Sequence, residues 1–402
     1  MNTQCCIVGG GPAGMMLGFL LARAGVKVVV LEKHGDFLRD FRGDTVHPST
    51  LNVIDELGLL DEFLKLPHQK VSRFAAQYGG VPVKIADFSH LPVRAKFIAM
   101  MPQWDFLDFL AAHAKAFPGF TLLMHAEARD LIEEGGRVVG IRASVNGAPE
   151  EIRADLVVGA DGRHSTVRDK AGLKVDDIGA PMDVLWFRLS YKAGDPDELM
   201  GRFDVGSILV MLYRGDYWQC AYVIPKGAAE QVRAAGIEKV RATIGRLMPS
   251  FADRVGELKS MDDMKLLTVG VDRLRTWWKP GLLCIGDSAH TMSPIGGVGI
   301  NIAIQDAVAA SNLLAAPLRE DRLKDSDLAA VQARRLFPAR ATQAMQIFLQ
   351  NRVIAPSLGG GTLRVPFFLQ VLQWFPILLR LPARLMGMGV RPEHVRTKAA
   401  SP

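Results

Sequence analysis

The sequence predicts an α/β fold: a parallel nucleotide-binding sheet, an inserted β-sheet domain and a helical C-terminal region. Three observations carry this reading. Residues 4–33, QCCIVGGGPAGMMLGFLLARAGVKVVVLEK, read as strand, glycine turn, apolar helix and second strand, which is a βαβ unit. Two later runs, LVVGADG (156–162) and GLLCIG (281–286), repeat the pattern of a buried strand opening into glycine. Between them, residues 176–270 hold six of the 11 tryptophans and tyrosines in short strand-like runs, which marks a separate sheet.

The remaining elements follow in order. LNVIDELGLLDEFLK (51–65) is amphipathic and predicts one helix. Residues 71–89 predict a β-hairpin turning at Gly79-Gly80, and 103–117 a helix. Residues 136–162 predict strand, Asn146-Gly147 turn, then two strands. SILVMLYRGDYWQCAYVIP (207–225) predicts a hairpin around Arg214-Gly215-Asp216, and 300–316 a long apolar helix. The expected domains are discontinuous. Residues 1–70, 97–175 and 270–325 build the nucleotide-binding domain, 71–96 and 176–269 the β-sheet substrate domain, and 326–402 the helical region.

Composition narrows the function classes. The 402 residues are 49% hydrophobic and 22% charged, too apolar for a disordered chain. Lys plus Arg is 48 and Asp plus Glu 42, a net +6. That surplus can steer small anions or favour an anionic membrane surface, and it is too small to imply nucleic acid. The four cysteines form no C-x-x-C pair, and the nine histidines show no metal-ligand spacing. Neither a disulfide framework nor a metal site is expected. Cys5–Val8 is too short for a signal-peptide core, and Val365–Leu379 is 15 residues with two prolines, short of the ~20 that span a bilayer. A cytoplasmic location is expected, with a monomer or homodimer as the assembly.

Three motifs carry the chemistry. The first is Gly9-x-Gly11-Pro12-Ala13-Gly14, after a strand and opening a helix. Gly9 permits a tight turn, Gly11 lets a pyrophosphate approach the backbone, and Gly14 lets helix and strand pack closely. Glu32, followed by Lys33, ends the second strand 18 residues beyond Gly14, where an acid accepts ribose hydroxyls. The unit is therefore Rossmann-like, and Glu32 argues against a 2′-phosphate at this site. The second motif is Asp161-Gly162-Arg163-x-Ser165-x-x-Arg168. The third is Gly286-Asp287-Ser288-Ala289-His290, continuing through Pro294-x-Gly296-Gly297-x-Gly299-Ile300-Asn301 into a helix. Its glycines strip side chains where a flat ring must approach backbone, and the helix start points N–H groups at that ring.

With all three in this order, the sequence resembles the class A flavoprotein monooxygenases, the family of p-hydroxybenzoate hydroxylase, over residues 4–320. The resemblance implies noncovalent FAD held by all three motifs. It places Glu32 on the adenosine ribose, Arg42 near the flavin or pyrophosphate, Gln103 on the ribityl side and Asp287 on the ribityl chain. Asp161, its loop supported by Arg168, would serve the cofactor and NADPH regions. It further implies that NAD(P)H reduces the flavin, that O2 adds to give a C4a-hydroperoxide, and that one oxygen atom reaches an electron-rich carbon of an aromatic or polycyclic hydrophobic substrate. No second GxGxxG stands ready for the nicotinamide.

Rival readings remain at this point. A reductase of isoprenoid double bonds, like geranylgeranyl reductase, fits the same motifs, as does a flavin- or ligand-binding protein without turnover. The halogenase motif WxWxIP is not matched by residues 218–225. Ser288 and His290 lack a G-x-S-x-G elbow, which argues against a hydrolase. No catalytic nucleophile is obvious. Candidate substrate residues are His47, Trp186, Arg188, Met211, Tyr213, Trp218 and Tyr222, with core packing the plainer reading for each of the sheet residues. The stretch 365–396 is apolar with arginines interspersed. It reads as helices packed on the body or in a dimer interface, or as an element lying on anionic lipid.

Overall fold

The computed structural model describes residues 1–38, 45–195 and 200–400. β1 (Asn2–Val8), α1 (Pro12–Arg23) and β2 (Val28–Leu31) form the opening βαβ unit. Cys5–Val8 and all of β2 are buried, because helices cover the sheet, so both strands read as unbroken apolar runs. α2 (Pro48–Glu56) stops short of the expected helix 51–65. Gly58, at φ +75°, breaks that helix, and only a single turn, Leu60–Phe63, follows. β3 (Arg73–Tyr78) and β4 (Val81–Asp87) make the predicted hairpin, with Gly79 and Gly80 both at positive φ as a type I′ turn requires.

α3 (Gln103–Ala114) leads to β5 (Phe120–Leu123), β6 (Ala126–Glu134), β7 (Arg137–Val145) and β8 (Ala148–Gly159). Asn146 and Gly147 turn the chain between β7 and β8 at φ +50° and +85°. The two strands expected after this turn are one continuous strand of 12 residues. β8 changes partners midway: Ala148–Arg153 pairs antiparallel with β7, and Arg153–Gly159 runs parallel to β1. After α4 (Thr166–Lys170) come β9 (Met182–Ser190), β10 (Met200–Asp204), β11 (Ser207–Tyr213), β12 (Tyr217–Pro225), α5 (Ile237–Leu247) and β13 (Lys265–Leu267). The chain then returns through β14 (Trp278–Lys279) and β15 (Leu282–Cys284) to α6 (Gly299–Arg319) and α7 (Asp325–Leu349). α8 (Phe367–Trp374) and α9 (Arg380–Gly387) end the regular structure.

The first sheet has the order β14-β15-β8-β1-β2-β5, with β7 and β6 continuing from β8. Leu31, Val8, Gly159 and Cys284 are register partners, so β2, β1, β8 and β15 all finish at one level. α6 is long and apolar enough to cross a membrane, yet most of it is buried, packed between α1 and α7. The second sheet has the order β13-β9-β12-β11-β10-β3-β4. Its strands pair antiparallel except for β10 with β3.

The two faces of this second sheet differ. Leu185, Phe187, Leu209, Met211, Trp218 and Cys220 form one face and pack against Val240, Ile244 and Leu247 of α5. This corrects the expectation for Met211, Tyr213, Trp218 and Tyr222 as pocket lining. All four belong to the core beneath α5. Trp218 is fully buried, stands edge-on to Phe251 and donates its indole N–H to Asp195 at 3.2 Å. Trp218→Ala should therefore cost about 3–5 kcal/mol of stability, read by urea denaturation, while the KM for any substrate moves less than twofold.

Candidate functional site

Four chain segments leave the first sheet at its shared carboxyl edge, the place where open α/β sheets bind ligands. From β1 comes the glycine turn. Gly9 sits at φ +108°, and a Cβ there would meet the Ala160 carbonyl oxygen at 2.4 Å. A Cβ on Gly14 would lie 1.9 Å from the Gly9 carbonyl oxygen. These two positions have room for hydrogen only. Gly11 is the opposite case: its backbone is extended at φ −75°, and a Cβ would meet nothing within 4 Å. Open space thus lies in front of the start of α1. Pro12 opens that helix, Ala13 is buried behind it, and no side chain caps it. This is a cradle shaped for an anion such as a pyrophosphate.

From β2 comes Glu32, 9% exposed, whose carboxylate accepts the N–H groups of Gly10 at 3.2 Å and His34 at 3.0 Å. Its carboxylate therefore borders the glycine turn. Lys33 is exposed and lines a depression of about 460 Å³ with His125, Glu127 and Asn146. Gln103 is the first residue of α3, half-buried. Arg42 lies outside the described residues.

From β8 comes Asp161. Its carboxylate accepts Ser165 Oγ at 2.5 Å and the Val167 N–H at 3.1 Å, so it shapes its own loop. Burial raises its pKa against the pull of those bonds. Arg168 donates to the Arg163 carbonyl at 2.7 Å and closes the same loop from below. Ser165 Oγ accepts the Arg168 N–H and caps α4.

From β15 comes the Gly286-Asp287 turn. Gly286 is at φ +61°, and a Cβ there would lie 3.2 Å from both Ala13 and Ala303, so the first and third motifs interlock. The Gly286 N–H donates to Asp306 at 3.1 Å. Asp306 also holds His290 Nε2 at 2.6 Å and Arg335 Nε at 2.8 Å, all three side chains being essentially inaccessible. Ser288 Oγ shares its one hydrogen between the carbonyls of Gly159 at 2.6 Å and Ile285 at 2.8 Å. Ser288 and His290 are thus each engaged elsewhere, and no hydrolase pair forms. Asp287 is half-buried at the mouth of the turn.

Pro294 precedes a short 3-10 turn, Ile295–Gly297, in which Gly296 and Gly297 take φ +76° and +63°. Gly299 and Ile300 begin α6, whose start, like that of α1, has no side-chain cap. Asn301 does not face outward. Its Oδ1 accepts the His47 N–H at 3.0 Å and Thr50 Oγ1 at 2.7 Å, tying α6 to α2. Thr45 Oγ1 donates to the Gly297 carbonyl at 2.8 Å and fills the space a Gly297 side chain would need. His47 is fully buried at the start of α2, with Nδ1 2.8 Å from the Met386 carbonyl of α9. A carbonyl only accepts, so Nδ1 carries the proton. Burial lowers its pKa to about 4, with the Met386 and Gly296 carbonyls pulling it partway back.

Above this turn lies the other face of the second sheet. Cross-strand pairing aligns Trp186 with Ala221 and Val210, and Arg188 with Gln219 and Leu212. Trp186 and Val210 share an apolar cluster with Ile295 of the glycine turn, while Leu212 shares one with Met386 and Met100. Trp186 and Arg188 are the predicted substrate residues that lie on this side. Sequence reasoning missed Val210, Leu212, Gln219 and Met386. Strand alternation separates the two faces but does not say which one looks inward.

The sequence profile described as FAD binding domain matches residues 2–345. A 6-methylpretetramide 4-monooxygenase from Streptomyces rimosus is 36% identical over 357 residues, covering 88% of this chain and 84% of the relative. A para-nitrophenol 4-monooxygenase from Pseudomonas sp. (strain WBC-3) is 24% identical over 340 residues, 82% of each chain. The solved structure of Pseudomonas aeruginosa PqsL in complex with 2-aminobenzoylacetate shares the fold. Its TM-score is 0.78 at 22% identity, covering 90% of this chain and 99% of that one.

His47 makes the stability of the site pH-dependent. The folded protein keeps it neutral down to about pH 4, while an unfolded chain protonates it near 6.5. Its contribution is complete above pH 6.5 and is lost as pH falls toward 4, by roughly 3 kcal/mol. In His47→Gln the loss of unfolding free energy between pH 7 and pH 4.5 should shrink by most of that amount. An unchanged slope in urea titrations would remove His47 from this role.

Proposed function

Since the chain belongs to the class A flavoprotein monooxygenases, built on an FAD binding domain, we propose that it hydroxylates a polycyclic aromatic substrate with NAD(P)H and O2. One observation supports this reading. The glycine turn after β1, Glu32, Asp161 and Gly286-Asp287 emerge at one sheet edge, and Ile295, beyond the last of them, shares an apolar cluster with Trp186 and Val210 of the second sheet. When bound, FAD takes a hydride from the nicotinamide and delivers one oxygen atom from O2 to an electron-rich ring carbon.

The residues divide the remaining work. The uncapped start of α1 and the space at Gly11 suit the pyrophosphate, and Glu32 suits the ribose beside it. The start of α6, with Gly296 and Gly297 bare of side chains, presents N–H groups where negative charge develops on a reduced ring. Trp186, Val210, Leu212 and Ala221 offer a flat apolar ceiling that excludes water and suits fused rings. Arg188 and Gln219, at the next register position, can orient polar substituents. The names of the relatives support this substrate class: one is a 6-methylpretetramide 4-monooxygenase, and another related structure is an anhydrotetracycline hydroxylase.

Two variants test the reading. Gly11→Val places a side chain in open space on an extended backbone, so the fold should persist and bound FAD should be lost. A Gly11→Val protein that retains full flavin absorbance after gel filtration sinks the site assignment. With polycyclic phenols, the parent should show substrate-stimulated NAD(P)H oxidation matched by hydroxylated product. Trp186→Ala should raise KM about tenfold, the scale of one lost aromatic contact.

A further inference from the structure

We propose that the outer side of the α8–α9 region is a docking surface for an anionic lipid bilayer. Its charge is unlike that of the rest of the chain. From residue 345 to 392 there are five arginines and no aspartate, glutamate or lysine. Among the described residues, four of the five exposed phenylalanines and tryptophans also lie within this segment: Phe348, Phe367, Trp374 and Phe375. Ile377 and Leu381 follow at 65% and 61% exposure. Scattered apolar side chains on a surface need no explanation, but such a concentration does.

The region is fixed to the body while this side stays open. Leu369, Leu379 and Ala383 are buried. Gln373 accepts the Lys84 N–H at 3.0 Å and donates to the Lys84 carbonyl at 2.8 Å, gripping edge strand β4. Phe367 stands edge-on to Trp374, and Phe348 packs on Phe368. Phe348, Phe367 and Phe368 border an open cavity of about 590 Å³ that Arg352 and Arg364 also line. Arg380 and Arg384 are exposed on α9.

The charge selects the occupant. A second copy meeting this face about a two-fold axis would bring like arginines together with no acid in the segment to pair them. A nucleic acid would match the arginines and leave Ile377, Leu381 and Phe375 in water. An anionic bilayer satisfies both: phosphates for the arginines, and the interfacial zone for the aromatic and aliphatic side chains. α8, the 3-10 turn Pro376–Leu379 and α9 are too short and too broken by proline to span it, so they would lie in its plane.

Co-sedimentation of the full-length, FAD-loaded protein with phosphatidylcholine vesicles, with and without 30% phosphatidylglycerol, tests this. The expected result is binding to the anionic vesicles at low salt, weakened by 0.5 M NaCl, and little binding to neutral ones. Ile377→Asp/Leu381→Asp and Arg380→Glu/Arg384→Glu alter only exposed side chains. Each pair should lower the partition at least tenfold, since one arginine near such a surface is worth about fivefold. NAD(P)H oxidation with soluble substrate should stay at the parent level. Absence of binding, equal binding to neutral vesicles, or full binding by both variants overturns the proposal. So does light scattering that finds a dimer which Ile377→Asp/Leu381→Asp dissociates and vesicles leave untouched.

Discussion

Asp306 holds the site together. Its carboxylate is wholly buried in the middle of α6 and accepts from Gly286, His290 and Arg335. Burial pushes its pKa up, but His290 and Arg335 outweigh that and hold it below the usual carboxylate range, so it stays ionised. Arg335 reaches on to Glu393 at 3.4 Å, and Arg334 clamps the same carboxylate with two nitrogens. One buried charge thus ties together the turn after β15, the core helix, α7 and the C-terminal strand of chain. A charge this deep is tolerated only because each of its partners is in place. Removing one would leave an ion stranded in the core, so the loop geometry at Gly286 inherits the rigidity of the whole cluster.

Around that fixed point the glycines divide into two kinds. Gly9, Gly14 and Gly286 are filled positions: the Ala160 carbonyl, the Gly9 carbonyl, and the Ala13 and Ala303 side chains stand where a Cβ would go. They explain how three motifs far apart in sequence come within van der Waals contact. Gly11 is an empty position, where nothing but a ligand would fill the space. The distinction separates glycines whose place is filled by the fold from one that faces open space. All four belong to motifs that look alike in sequence.

The βαβ unit, the strand–glycine motifs and all three hairpins were legible because periodicity and turn chemistry are local. Cys5–Val8 could only be a buried strand, and Asn146-Gly147 could only turn a hairpin. The break at Gly58 and the partner switch in β8 were not legible, because each depends on what packs alongside. The substrate side failed for a similar reason. Alternation puts Met211 and Tyr213 on one face of their strand, and Trp218 and Tyr222 on one face of the next, but α5 covers the face they share, and nothing within residues 207–225 reports it. His47 was visible as a candidate near the flavin motif, while its carbonyl partner is 339 positions away in α9.

That last contact changes how the C-terminal region is to be understood. α9 looks in two directions. Inward, the Met386 carbonyl fixes His47 and the Met386 side chain lies 3.7 Å from where a Cβ on Gly296 would be, so the helix forms a wall of the turn Ile295–Gly297. Gly387 packs so closely on Leu91, Phe88 and Pro48 that a Cβ there would clash with Leu91 at 2.9 Å, leaving α9 little freedom to slide. Outward, the same eight residues expose Leu381, Arg380 and Arg384. The region beyond residue 326 is thus part of the site's construction, and its apolar arginine-studded sequence reflects two surfaces with different neighbours.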